Sequence, residues 1–399
     1  MRSSGFRLSQ IGIAGAIVGI VLGISQAADP PAKRVASGVA KKPEAQYTLW
    51  AATDDFVFRS ADRGGTWVHW PAPRKGMSAS CIEACSDVIW VGTDSGLFRG
   101  KMPEPSWEAC GAKEGFLDLG LLAPGPSLMG ESPGVSAIVC EDPRKLWVAL
   151  SSPFPLTHHL ARSEDGGKTW RAVRLPGAGN VPRVSAMLMQ GGALWVGLAS
   201  SAYPFPLQSP QLLGGGIWRT VDGGRTWASF NSRNGLSGDI VLSLFASRGS
   251  LFAVTDKGVD VTCDGGQTWR KFSPEKFTVR GTFHPGDTNI QGSASFGGAR
   301  SDQEVFVVRY CKVLSVTHDG GKNWEDIPVS RMMPDGSKDV YICLIQVDHG
   351  AIVLGVNDVL RSSSHGGLII SSDDGRSWSF HKLGTLVHGI STAQDETPR

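Results

Sequence analysis

The sequence is poor in charged residues and in long apolar runs. Charged residues make up 19% of the 399 residues, and the formal net charge is only +2. Because nucleic-acid-binding surfaces need clustered Lys and Arg, we expect no nucleic-acid partner. The longest apolar run, Ile11–Ile24, has about 14 residues, which is short for a membrane span of about 20. We therefore expect no stable membrane span.

The cysteines lack the spacing of a metal site. Two of the seven, Cys81 and Cys85, are close together, and the other five are scattered: Cys110, Cys140, Cys263, Cys311 and Cys343. None of these spacings matches a zinc site, so we expect no metal and no other cofactor. We favour a role as small apolar fillers between strands. One or two disulfides stay open as alternatives if the compartment is oxidising.

The first 46 residues have the composition of a targeting segment followed by a linker. Arg2 and Arg7 precede the apolar run, and the small residues of Ser25–Ala27 follow it. This order is typical of a secretory signal peptide over residues 1–27, and a retained membrane anchor is the alternative. Residues 28–46 are rich in Pro, Ala and Lys and are expected to form a disordered linker. We expect an exported protein, located in the periplasm, outside the cell or on its surface.

One motif recurs six times in the remaining chain, with the pattern Ser/Thr-x-Asp-x-Gly-x-Thr-Trp and some exchange of the second Thr for Ser or Asn. The Asp position is held by Asp62, Asp165, Asp222, Asp264, Asp319 and Asp373. Asp can accept backbone N–H groups at a turn, Gly supplies a positive φ, and Trp is a large packing residue. Six copies at spacings of roughly 40 to 60 residues indicate a repeat fold. We expect these aspartates to be structural, and each copy is called a box turn below.

Two kinds of apolar segment accompany the box turns. A five-residue strand recurs seven times, at residues 49–53, 89–93, 146–150, 194–198, 251–255, 305–309 and 352–356. Another strand precedes it in repeats two to seven, at residues 77–83, 135–141, 184–190, 240–246, 289–295 and 340–346.

The first repeat lacks the preceding strand, whereas Leu386–Thr392 follows the last box turn with nothing to pair with. Segments of helical periodicity are missing from the repeats. The second repeat keeps only Ser106 and Trp107 of the box motif. We therefore predict an all-β, seven-bladed β-propeller over residues 47–393, closed by the C-terminal strand, with a tail at 394–399.

The box motif resembles the Asp-box, or BNR repeat, of the sialidase superfamily, where it forms the hairpin between the third and fourth strands of a propeller blade. The segment WVGTDSGLFR at residues 90–99 and the repeated DGGxTW also resemble the photosystem II stability/assembly factor family. The first resemblance implies glycoside hydrolysis, and the second implies a propeller that binds a partner protein and catalyses nothing. In such a propeller the box turns lie on one face of the disc, the box face, opposite the mouth face.

Three long insertions belong to the mouth face of neighbouring blades, at residues 108–134, 151–159 and 199–216. Their Pro and aromatic residues predict a raised wall that binds a ligand, with loops that merely cover one another as the alternative. The candidate ligand-binding residues are Phe154, His158, His159, Tyr203 and Phe205.

A sialidase-like exo-glycoside hydrolase is the alternative function, and a structural module of a surface assembly is a third. Sialidases hold a substrate carboxylate with three arginines and use a Tyr–Glu nucleophile pair. Residues that could fill these roles at the mouth are Arg183, Arg280, Arg309, Tyr310 and Glu275. The Phe-Arg-Ile-Pro segment that precedes the first Asp-box of sialidases is missing. We therefore favour a non-catalytic binding or scaffold protein, with a protein or glycan ligand at the propeller mouth.

Overall fold

The computed structural model describes residues 47–73, 78–102, 106–110, 134–151, 159–176, 184–202, 211–274, 277, 296–348, 350–358 and 366–394. In these ranges 28 strands form seven antiparallel sheets of four strands each. One short 3-10 turn, Val329–Arg331, is the helical element of the described chain. None of its elements is an apolar helix long enough to cross a membrane. The predicted seven-bladed β-propeller is confirmed.

The strands of each blade run in order from the innermost, at the propeller axis, to the outermost. Blade one contains β28 (Val387–Gln394), β1 (Tyr47–Thr53), β2 (Phe56–Ser60) and β3 (Val68–Pro71). Blade two contains β4 (Ala79–Cys85), β5 (Val88–Thr93), β6 (Gly96–Lys101) and β7 (Glu108–Cys110). Blade three contains β8 (Gly134–Asp142), β9 (Lys145–Ser151), β10 (Leu160–Ser163) and β11 (Arg171–Val173).

The other four blades follow the same order along the chain. Blade four contains β12 (Val184–Gln190), β13 (Ala193–Ala202), β14 (Gln211–Thr220) and β15 (Ala228–Phe230). Blade five contains β16 (Val241–Ser247), β17 (Ser250–Thr255), β18 (Gly258–Thr262) and β19 (Arg270–Lys271). Blade six contains β20 (Gly297–Ala299), β21 (Val305–Arg309), β22 (Val313–Thr317) and β23 (Glu325–Pro328). Blade seven contains β24 (Val340–Asp348), β25 (Ala351–Asp358), β26 (Gly367–Ser371) and β27 (Ser379–Lys382).

The second strand of each blade is the most apolar, because it is covered by both neighbouring blades. Trp50, Trp90 and Trp147 on these strands are at most 1% exposed. Phe252 and Phe306 hold the same position in blades five and six and are fully buried. All seven predicted second-strand segments lie in these strands, so the repeat count is also confirmed.

The ring is closed by β28, as predicted, because this strand pairs with β1 from Tyr47↔Gln394 to Thr53↔Val387. A buried side chain of blade seven fastens the same strand. The Asn357 amide nitrogen donates to the Val387 carbonyl at 3.0 Å, and the Val387 N–H donates to Asn357 Oδ1 at 2.8 Å. Blade one is therefore held by hydrogen bonds to blade seven as well as by the strand pairing within its own sheet.

Six of the seven innermost strands carry a β-bulge at the same level. At this level the pairing register with the second strand skips one residue in each of the six. The skipped residues are Ser80, Ser136, Ser185, Leu242, Cys343 and His388. A bulge interrupts the ladder of hydrogen bonds and redirects the strand, so the same bend recurs around the ring.

Donors from one blade bond to the carbonyl that precedes the bulge of the next blade. The Ser185 hydroxyl donates to the Val241 carbonyl at 2.5 Å, and the Cys343 thiol donates to the Val387 carbonyl at 3.5 Å. Since a bulge disturbs the pairing of its own strand, these donors supply hydrogen bonds to carbonyls in a buried place. This bulge belt therefore links neighbouring blades.

The innermost strand of blade six differs from the prediction. The structure places it at β20, whereas the predicted segment, 289–295, lies outside the described residues. The two glycines of β20 leave room for large side chains of the neighbouring blades. A Cβ at Gly297 would clash with the Phe245 ring, and one at Gly298 would clash with Val347.

One disulfide corrects the expectation that all cysteines are fillers. Cys85 of β4 and Cys140 of β8 are bonded, with a Cα–Cα distance of 6.2 Å, and so join the innermost strands of blades two and three. Sequence spacing does not reveal this pair because the two residues meet only when the blades pack side by side. Cys81 and Cys110 are buried in the apolar cluster next to it.

The predicted loop at residues 199–216 is partly a strand. β13 and β14 pair as far as Ala202↔Gln211, beyond the level where β12 begins. Gly214 permits the segment that ends at Asp239 to pack closely on this hairpin, because a Cβ there would clash with the Asp239 carbonyl. Gly216 has a φ of +67° and donates its N–H to the Asp239 carbonyl at 2.9 Å.

Candidate functional site

The box turns are closed by their own hydrogen bonds. In the first, Asp62 Oδ1 accepts the Thr66 N–H at 2.7 Å and the Ser60 hydroxyl at 2.8 Å, and Oδ2 accepts the Thr66 hydroxyl at 2.7 Å. The Trp67 ring N–H donates to the Gly64 carbonyl at 3.1 Å. Asp165, Asp222, Asp264, Asp319 and Asp373 accept the corresponding hydrogen bonds.

These bonds keep the box carboxylates ionised. The backbone and side-chain hydrogen bonds from Thr66 lower the pKa of Asp62 to about 2. Those from Asn323 lower the pKa of Asp319 to about 2 as well. Such carboxylates suit a fixed turn and are poorly suited to proton transfer near neutral pH. The turns also lie beside the turn between the first two strands of their blade, since the Gly166 N–H donates to the Arg144 carbonyl.

The mouth face carries the only two hydrolase candidates that the structure describes, Arg309 and Tyr310. Arg309 forms an ion pair with Asp326 at 3.2 Å and lies 4.4 Å from the centre of the Phe277 ring. Tyr310 is 42% exposed at the tip of a turn, with a φ of +52°. The positive charge of Arg309 is thus already paired with a carboxylate. Arg183, Arg280 and Glu275 lie outside the described residues.

Of the candidate ligand-binding residues, the structure describes only His159. It lies half-buried immediately before the third strand of blade three, and its carbonyl accepts the Leu150 N–H at 2.9 Å. Phe154, His158, Tyr203 and Phe205 lie outside the described residues. The strands that flank the last two, β13 and β14, form the extended hairpin of blade four.

A hydrogen-bonded group beside the ring closure has no counterpart among the sequence predictions. His388 Nε2 lies 2.7 Å from Asp54 Oδ1, which also accepts the Ser78 hydroxyl at 2.8 Å. His388 is the bulge residue of β28, and Asp54 follows β1. The contact joins two residues that are 334 positions apart. In the sequence, this contact could have been indicated only by aligning the closing strand with the other innermost strands.

A central channel with a volume of about 540 Å³ lies along the axis. Strands from all seven blades line it. Most lining side chains are apolar, although the strand backbones add polar surface. The charged lining residues are Glu83 and Asp348, and no Lys, Arg or His of the described chain lines the cavity.

The Glu83 carboxyl is in an unusual environment for an acid. Burial raises its pKa to about 7, against hydrogen bonds from the Cys140 N–H and the Ser391 hydroxyl. It could have been noticed in the sequence as an acid inside an otherwise apolar innermost strand. Within the described ranges no group of three or more His, Cys, Asp or Glu is arranged to hold a metal ion.

No protein-family model and no curated protein matches the chain. Among solved structures it is similar to YCF48 bound to D1 peptide, with 12% identity and a TM-score of 0.50, over 79% of this chain and 90% of that chain. YCF48 from Cyanidioschyzon merolae has 14% identity and a TM-score of 0.47, over 79% and 94%. An ancestral GH74 enzyme has 12% identity and a TM-score of 0.43, over 87% of this chain and 40% of that chain. The likeness shows the propeller fold alone.

Proposed function

We propose that the protein is an exported, non-catalytic binding protein that holds an extended segment of a partner protein on its mouth face. The observation that carries this proposal is the hairpin of β13 and β14. It continues for ten residues in each strand, whereas the second strands of the other blades have five to eight. A long, supported hairpin at one side of the mouth offers a rigid edge for a ligand.

The contacts of Arg309 argue against the hydrolase alternative. A sialidase-like site needs arginines available to the carboxylate of the sugar. Arg309 is instead paired with Asp326 and covered by Phe277, with only 17% of its side chain exposed. A channel whose charged lining residues are both acidic would also repel an anionic sugar.

The solved structure of YCF48 supports a peptide as the ligand, because that propeller is bound to D1 peptide. A propeller of this architecture is thus able to hold a peptide. For an exported chain, the signal-peptide pattern at residues 1–27 is the supporting observation.

The test is selection of peptides from a random display library on the immobilised chain 28–399, with a glycan array and aryl glycosides assayed in parallel. Selected peptides should bind wild type, and the double variant Tyr203→Ala, Phe205→Ala should bind them at least tenfold more weakly. Val221→Ser is the matched control, because Val221 is 63% exposed in a box turn on the other face.

Equal loss of binding in both variants, or retention in both, contradicts a mouth-face site. Turnover of a glycoside that is lost in Arg309→Ala would instead establish the hydrolase. Glycan binding without any selected peptide would exclude a protein ligand in favour of a glycan.

A further inference from the structure

The two sides of the channel differ in chemistry. Glu83 and Gln346 lie on strands of blades two and seven, and β28 of blade one lies between these blades. Val139, Leu188 and Phe245 line the wall formed by blades three, four and five. These five residues lie at the same level of their strands. Each comes two positions after the residue at which pairing with the second strand resumes beyond the bulge. The channel is therefore polar on one side and apolar on the other.

The polar side is organised by the closing strand. The Ser391 hydroxyl points to Glu83 Oε2 at 3.5 Å and accepts the Ala84 N–H at 3.0 Å. The Thr392 hydroxyl donates to Asp348 Oδ2 at 2.8 Å. These contacts with neutral hydroxyl groups fix the positions of the two acids of the channel lining.

We propose that the channel binds an ammonium or guanidinium group on an apolar stem, with the charged end at Glu83 and the stem against Val139, Leu188 and Phe245. The volume of about 540 Å³ is within the range of small-ligand sites. This chemistry has two sources, a free alkylamine or a basic side chain of a peptide. The site lies inside the ring and is separate from the mouth-face site.

The electrostatics of Glu83 agree with a cationic ligand. Burial raises the pKa of this carboxyl to about 7, and no cationic side chain of the described residues lines the cavity with it. An ammonium group would replace the lost solvation of the carboxylate. The other titratable groups at this place are Asp348 in the lining and the Cys81 thiol of the same strand, which stays neutral because burial raises its pKa.

Titration calorimetry with hexylammonium, hexanol and hexanoate tests the site directly. Hexylammonium should bind at least tenfold more tightly than hexanol at pH 8, and hexanoate should not bind. Between pH 6 and pH 8 the affinity for hexylammonium should rise about tenfold, following the ionisation of a group with a pKa of about 7.

Glu83→Gln should remove the preference for hexylammonium and its pH dependence. Glu164→Gln is the matched control, with the same change in charge at a side chain that is 66% exposed and outside the channel. Leu188→Thr should weaken hexylammonium and leave methylammonium unchanged. Thermal unfolding of each variant confirms that it is folded.

Hexanol binding as tightly as hexylammonium, or Glu83→Gln binding as wild type does, overturns the proposal. A blocked Gly-Gly-Lys-Gly-Gly peptide separates the sources. Binding of this peptide, lost on acetylation of its Lys, assigns the site to a basic side chain, and binding of hexylammonium alone assigns it to free amines. Neither result affects the peptide selection at the mouth face.

Discussion

Arginine and tryptophan are paired residue by residue across the first four blades. Trp147 lies opposite Arg162 in the strand register, with the guanidinium 5.1 Å from the ring centre, and Arg219 lies 5.2 Å from Trp195. Arg99 donates to the Gly166 carbonyl in the box turn of the next blade at 2.9 Å. A guanidinium stacks on an aromatic face and donates in its own plane, so one side chain can cover the ring of its own blade and contact the next.

The box tryptophans should contribute to stability by packing. Trp170 is 9% exposed within the apolar cluster of blades two and three, and its ring N–H donates to the Gly167 carbonyl at 3.1 Å. Trp170→Ala should lower the free energy of unfolding by about 3–5 kcal/mol, because it leaves a cavity between blades. Denaturant unfolding measures this change.

The control for Trp170→Ala is Val221→Ala, which changes an exposed residue of another box turn and should cost less than about 0.5 kcal/mol. A Trp170→Ala variant that melts within a degree of wild type would show that the Trp170 ring does not stabilise the packing between blades.

At the scale of elements, the box turns were predictable because each depends on residues within eight positions of one another. The innermost strand of blade six was not, because Gly297 and Gly298 are explained by Phe245 and Val347 of other blades. The hairpin of β13 and β14 was missed for a similar reason, since the glycines at 214–216 resemble a loop, and the need for Gly214 is clear only where the segment ending at Asp239 packs on it.

The box turns should make the propeller sensitive to acid. Burial alone would raise the pKa of Asp165, but hydrogen bonds from Thr169 and Ser163 outweigh it and lower this pKa to about 2. Because the folded state then binds fewer protons than the unfolded state, the contribution of Asp165 to the free energy of unfolding is complete above about pH 5 and is lost as the pH falls towards 2. Thermal unfolding between pH 2 and pH 7 should show this loss.

Asp165→Asn should reduce the acid-dependent part of the loss and lower stability near pH 7 by about 1–2 kcal/mol, because the amide nitrogen cannot accept the Thr169 hydroxyl. Its affinity for peptides selected on wild type should be unchanged, since the turn lies on the box face. Loss of peptide binding in a variant that keeps its melting temperature would contradict that placement.

For the whole molecule, the repeat count and the closing strand could be derived from the sequence. A segment that is missing from one repeat, or present in surplus, is evident when the seven repeats are compared with one another. The candidate sites could not. Glu83, Gln346 and Ser391 come together only because blades two, seven and one meet at the axis, and no sequence spacing brings them together. The disulfide between Cys85 and Cys140 depends on the same side-by-side arrangement.

Asn357 should be important for the closure of the ring. It is 3% exposed and makes both hydrogen bonds to the backbone of Val387. Asn357→Ala should lower the free energy of unfolding by about 1–3 kcal/mol, because the buried Val387 N–H loses its acceptor and the Val387 carbonyl loses one of its two donors. Limited proteolysis should also cut β28 faster in this variant.

Asn234→Ala is the matched control, because this exposed amide donates to the Ser229 carbonyl at 2.9 Å outside the closure. It should cost less than about 1 kcal/mol and leave the proteolysis of β28 unchanged. Equal effects of the two variants would mean that blade one is held by the pairing of β1 and β28 alone.

The pairing of β28 with β1 also sets the order in which the protein can fold. Asp54 can contact His388 only after the 334 residues that follow it have been synthesised, and the first blade has no innermost strand until then. Contacts this distant in sequence form slowly, because a long loop must close first. During synthesis the chain therefore leaves the ribosome as an open series of blades, and the completed ring forms only after β28 has been made.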